Sequence, residues 1–156
     1  MTLEWYEYAM ASDVGRMRSL ASIRQGLKHK YGMVTAGWTE GIEGACGELA
    51  VAKVLGIYWD GSVNTFKSPD VGDLQVRTRS KDHYDLIVRP EDSSSEIFVL
   101  VTGTCPSYAV HGWIRGADAK QREFLKDYGN RPPAYFVPKN RLRPIEELKL
   151  GRGCAR

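Results

Sequence analysis

From Trp5 to Lys30 apolar residues recur at Tyr6, Met10, Val14, Met17, Leu20, Ile23 and Leu27, every three or four positions, as on a helix with one apolar stripe. Ser12 and Asp13 can cap a new helix, so one or two helices are predicted, ending near Gly32. After Gly37, Trp38 and Thr39 comes a second predicted helix, about Glu40 to Leu55, apolar on nearly every side and stopped by Gly56. From Ile57 the pattern changes to short runs rich in Val, Ile, Thr, Phe and Tyr between Gly, Pro, Asp and Ser clusters, which predicts strands. They are expected at Tyr58–Phe66, Leu74–Thr78, Tyr84–Arg89, Ile97–Thr102 and around Tyr108–Ile114. Leu86–Val88 and Ile97–Val101 are apolar on both faces, as a covered central sheet requires. A helix over Ala117–Tyr128, a strand at Ala134–Val137 and a helical turn at Ile145–Leu148 complete the prediction. This order defines an α/β (α+β) chain with a central mixed sheet flanked by helices.

With 156 residues, 42% of them hydrophobic, the chain can bury one core, and a single domain over 1–156 is expected. Within it, residues 1–35 form a helical extension, 40–137 the core and 138–156 a basic tail. No apolar run approaches the roughly 20 residues of a membrane span, and the first residues lack a signal-peptide pattern, so a soluble, unexported protein is expected. Cys46, Cys105 and Cys154 form no CxxC pair, and His29, His83 and His111 are scattered. Reduced thiols in a cytoplasm-like compartment fit this usage, and a zinc site does not. The net charge of +3 is small, but acidic residues dominate between 36 and 114 while basic ones dominate on either side. Carboxylates holding a cation beside a polyanion-binding periphery would give this distribution, and so would an uneven solvated surface.

The segment Ser68-Pro69-Asp70-Val71-Gly72-Asp73-Leu74-Gln75-Val76-Arg77-Thr78-Arg79 is the most informative. Pro69 and Gly72 make a turn before a strand on which Gln75 and Arg77, two residues apart, share a face. Asp70 can close over that face, and the set could hold a hard divalent metal and a phosphate together. An ordinary edge strand entered by a polar turn has the same pattern. Upstream, in Gly44-Ala45-Cys46-Gly47-Glu48-Leu49, helical spacing sets Glu48 in line with Gly44, Val51 and Leu55. A carboxylate there needs a partner, either a metal or an arginine.

Together these features resemble the PD-(D/E)XK nuclease superfamily, with its restriction-endonuclease-like core. Glu48 matches the family's helix glutamate, Pro69-Asp70 its first motif, and Gln75-Val76-Arg77 its acid-x-lysine place. Tyr84-Asp85-Leu86-Ile87-Val88-Arg89, Phe98–Gly103 and Gly112-Trp113-Ile114 are similar to phage and bacterial members. The resemblance spans roughly 40–137. It implies a Mg²⁺- or Mn²⁺-dependent nuclease that hydrolyses phosphodiester bonds in DNA, in a bacterial or phage-infected cell. Glu48, Asp70 and Gln75 would be metal ligands, and Arg77 the phosphate-side cation. Homodimerisation for two-strand cutting stays open.

Two departures bear on that implication. Gln75 is neutral and offers only a carbonyl oxygen, and Arg77, always protonated, cannot serve as a general base. Asp73 is a substitute ligand and Lys81 a substitute amine, while Arg79 and Lys81 could contact phosphates or simply be solvated. The basic residues of the tail (Lys139, Arg141, Arg143, Lys149, Arg152, Arg156) and the scattered aromatics are weaker candidates. A catalytically silent nuclease fold that binds nucleic acid or serves assembly is the alternative, and a plain protein-interaction domain is the third reading.

Overall fold

The structure, a computed structural model, describes residues 1–26, 37–63 and 68–152, without the side chains of the last two. The expected helix end near Gly32, together with His29 and Cys154, lies outside the described residues. Among the described residues the chain is mixed α+β. Helices α1 (Trp5–Arg24) and α2 (Gly37–Leu55) come first, then strands β1 (Leu74–Arg79), β2 (Leu86–Val88), β3 (Ile97–Thr104) and β4 (Ser107–Arg115). A short α3 (Gly116–Ala119), β5 (Leu125–Lys126), β6 (Ala134–Val137) and α4 (Glu146–Arg152) follow.

The strands divide between two three-stranded sheets instead of forming one central sheet. The first has the order β1-β3-β4, with β1 parallel and β4 antiparallel to β3. The second is antiparallel, in the order β2-β6-β5. Side-chain alternation explains how they stack. Leu74 and Val76 of β1 and Val99 and Val101 of β3 face α2, where Ala45, Cys46, Ala50, Val51 and Leu55 cover them. Phe98 and Leu100 face the other way and pack on Leu86, Val88 and Val137 of the second sheet. β3, buried on both faces, reads as the continuous apolar run seen in the sequence. Ile145 and Leu148 join the α2-side core, and Arg143 bridges Trp113 at the outer edge of β4, so the tail is docked onto the sheet.

α1 departs most from its apolar stripe. It is one continuous helix, capped by the reciprocal Glu4–Glu7 box and unbroken at Ser12–Asp13. Its buried residues are Ala11 and Gly15, whereas Tyr6, Met10, Met17, Leu20 and Ile23 are exposed. The reason is close backbone approach: a Cβ on Gly15 would sit 2.5 Å from the Gly41 carbonyl oxygen. The helices run antiparallel, since Ser19 reaches the Gly37 carbonyl while Lys53 pairs with Glu7. Small residues, not large ones, make this crossing, and Arg18 lies on the same face as Ala11 and Gly15, at spacings of four and three.

Two further expectations fail. Residues 58–63 of the proposed strand Tyr58–Phe66 are irregular, and 64–67 lie outside the described residues. The segment folds back onto the helices, with Ser62 accepting from Arg18 and Trp59 donating to Glu48, so its polar groups bind side chains in place of a ladder. The helix predicted over Ala117–Tyr128 stops at Ala119. A single 3₁₀ turn, Arg122–Phe124, follows, and Leu125 and Lys126 then pair with Tyr135 and Ala134. Sheet pairing overrides the local helical pattern there.

Candidate functional site

Among the described residues β1 is an edge strand of the first sheet, and a groove of about 620 Å³ runs along it between α2 and the second sheet. One wall is acidic: Glu40, Glu43 and Glu48 from α2, and Asp70 from the turn before β1. The other carries Arg77 and Arg79 of β1 with Arg89 and Arg131 from the second layer. Gly47 brings the walls together, since a Cβ there would fall 2.0 Å from Thr78 Oγ1, so only glycine lets α2 close onto β1.

Glu48 is buried at 6% exposure, a costly place for a carboxylate unless paired. Arg18 Nη1 donates to its Oε1 at 2.7 Å and Nη2 to its Oε2 at 3.0 Å, a two-pronged pairing. Trp59 Nε1 adds a third donor at 3.0 Å on Oε2, and Arg18 Nε is itself held by the Ser62 carbonyl at 2.8 Å. Of the two partners foreseen for this carboxylate, the arginine is the one present.

Asp70 Oδ2 accepts from the Val76 backbone N–H at 2.7 Å, which caps the free edge of β1. Burial, and then the nearby Glu48 charge, push its carboxyl up to about 6; the Val76 N–H, Arg77 and Arg18 pull the other way. Glu48 and Asp70 both line the groove.

Gln75 and Arg77 do share a face of β1, but it is the Phe98 face, away from α2. Gln75 Nε2 donates to Glu96 Oε1 at 3.3 Å, and Gln75 is not among the residues lining the groove. Arg77 stacks 5.0 Å from the Phe98 ring centroid and donates to Asp92 Oδ2 at 3.0 Å, yet still reaches the groove past the strand edge. The structure thus brings Glu48, Asp70 and Arg77 to one groove and leaves Gln75 outside it. Asp73 is exposed in the turn, and Lys81 is exposed just beyond the groove-lining Ser80.

The donor set expected for Mg²⁺ or Mn²⁺ does not fit as proposed. Both Glu48 oxygens are engaged by Arg18, with Trp59 on one of them, and Gln75 points to Glu96. No group of three His, Cys, Asp or Glu residues among the described residues could hold a metal ion.

Arg79 donates to the Asp85 carbonyl at 2.8 Å and lies 4.4 Å from the Tyr84 ring centroid. Burial lowers its pKa; Tyr84 and Asp85 act against that, and the charges of Arg131 and Arg89 add to it. Sequence reasoning missed Arg18, Glu43, Arg89 and Arg131, and weighed Trp59 only as a base-stacking or core aromatic, not as a donor to Glu48. The spacing of Ala11, Gly15 and Arg18 was the available signal for the first. Glu43 ties α2 to the β3–β4 turn by accepting from the Cys105 N–H and the Tyr108 hydroxyl.

No protein-family model, curated protein or solved structure matches the chain. Among the described residues, no helix is long and apolar enough to cross a membrane.

Proposed function

We propose that this chain binds nucleic acid, seating a phosphodiester backbone in the groove along β1. The observation that carries this reading is the set of four arginines, Arg77, Arg79, Arg89 and Arg131, that line one groove. Guanidiniums held together in this way gain from a phosphate between them, and their planar forks suit its oxygens. Tyr84 and Ser80, on the same rim, supply a ring face and a hydroxyl for a sugar or base. DNA is the partner that the resemblance to the nuclease superfamily implies.

Fluorescence anisotropy with labelled single- and double-stranded oligodeoxynucleotides tests this. Binding should weaken linearly in log–log terms as salt rises from about 50 to 200 mM. Arg131→Ala and Arg89→Ala should each weaken it and reduce the salt slope by about 1. Absence of binding at the lowest salt refutes the proposal.

Phosphodiester hydrolysis is the second reading, favoured by the Glu48 and Asp70 carboxylates facing the arginine wall across one groove. Cleavage of plasmid or single-stranded DNA in Mg²⁺ or Mn²⁺, lost in Glu48→Gln and Asp70→Asn, would support it. Binding that persists in chelator without cleavage at either metal selects the silent module.

A further inference from the structure

α1 turns Ala11, Gly15 and Arg18 toward α2, which leaves its opposite face to solvent. Down the middle of that face run Tyr6, Ala9, Asp13, Arg16, Leu20 and Ile23, alternately three and four positions apart and all exposed. Met10 and Met17 flank them at 58% and 45% exposure. Single exposed apolar residues are ordinary, but a stripe of them at the spacing of a helix–helix seam marks an interaction surface. The stripe is interrupted at its centre by one pair of opposite charges, Asp13 and Arg16, 3.7 Å apart with side-chain exposures of 76% and 52%.

We infer that two copies of this chain pair through the outer faces of α1, antiparallel, with reciprocal Asp13–Arg16 contacts at the centre of the seam. The charges select this occupant. With a two-fold axis level with the Val14–Gly15 peptide, Tyr6 of one copy meets Ile23 of the second, Ala9 meets Leu20, and Asp13 meets Arg16 on both sides of the axis. A parallel pair would set Asp13 on Asp13 and Arg16 on Arg16. The antiparallel sense also opposes the two helix dipoles and lays the acidic first turn, with Glu7, beside the basic last turn, with Arg24. Two helices of 20 residues laid together reach only the low end of specific interfaces. That end is about 1,200 Å², and the central ion pairs meet solvent, so the Kd is on the order of 10–100 µM. At about 1 µM the chain is then a monomer, and exposed substitutions on this face leave its own unfolding unchanged. The pairing requires neither the nuclease resemblance nor a ligand in the groove.

Sedimentation velocity of the full chain from about 1 to about 500 µM should show monomer giving way to dimer. Asp13→Arg and Arg16→Asp each set like charges at both central contacts, and each should raise the Kd at least about tenfold at low salt. Mixing the two variants in equal amounts puts opposite charges back at both contacts and should recover the dimer, as should the double variant Asp13→Arg with Arg16→Asp. Leu20→Lys, which brings a charge onto Ala9 of the second copy without touching the ion pairs, should give a comparable loss by a separate route. Far-ultraviolet circular dichroism checks that each variant is folded. A monomer at every concentration overturns the proposal, whether or not the chain then binds vesicles of phosphatidylcholine and phosphatidylglycerol through this face. So does a dimer that Asp13→Arg, Arg16→Asp and Leu20→Lys all leave unchanged, or one that the charge reversals weaken and their mixture fails to recover.

Discussion

Asp70→Asn should stabilise the protein, and the gain should depend on pH in a defined way. Raising a carboxyl from its ordinary 3.8 to about 6 means that the folded state disfavours the ionised form. At roughly 1.4 kcal/mol per pH unit, the penalty is about 3 kcal/mol. Between those two pH values the folded protein holds more protons than the unfolded chain. Stability from this group therefore falls as pH rises through the window, and the whole penalty is present above about pH 6. Asparagine removes the charge while its carbonyl can still accept from the Val76 N–H. At pH 7.5 the variant should gain about 3 kcal/mol, roughly 6–12 °C in Tm for a chain of this size. At pH 4 the gain should shrink below about 1 kcal/mol. Urea unfolding followed by tryptophan fluorescence at several pH values measures the difference. A gain that is the same at all pH values, or a loss near neutrality, would refute the electrostatic account of this site.

Arg18→Ala should cost about 3 kcal/mol in the same assay, because it leaves a carboxylate of 8% side-chain exposure without its charged partner. Gly47→Ala should cost about 1–3 kcal/mol by crowding Thr78, and adding Thr78→Ala should recover most of the loss, as a double-mutant cycle would show. Met17→Lys and Ile23→Lys should each change stability by no more than about 0.5 kcal/mol in urea melts, since both side chains are exposed despite their apolar character.

Where local pattern and tertiary packing agreed, the sequence was readable. Strands β1, β3, β4 and β6 and helix α2 fall where alternation or apolar runs predict them, because each buries the face its pattern marks. α1 was misread in orientation, because a glycine pair outweighs a stripe of large residues when two backbones approach closely. Residues 117–128 were misread because Leu125 and Lys126 take a ladder partner that is distant in sequence. Glu48 could be singled out as a carboxylate in a costly place and Asp70 as a turn residue closing over β1, but which cation satisfied Glu48 could not. Arg18 reaches it from 30 positions away across a helix crossing. The two-residue spacing of Gln75 and Arg77 correctly placed them on one face. It carried no information about which layer that face meets, and this separates Gln75 from the acidic wall.

The bond from Val76 to Asp70 also guards the molecule against itself. A bare strand edge invites another chain to add to the sheet, and a carboxylate planted on an outward N–H blocks that pairing while bringing charge to the rim. Truncating Asp70 to alanine would therefore do more than alter the groove. It would expose the outward Val76 N–H on β1, and the substituted protein should self-associate more than the unsubstituted one, as light scattering would show.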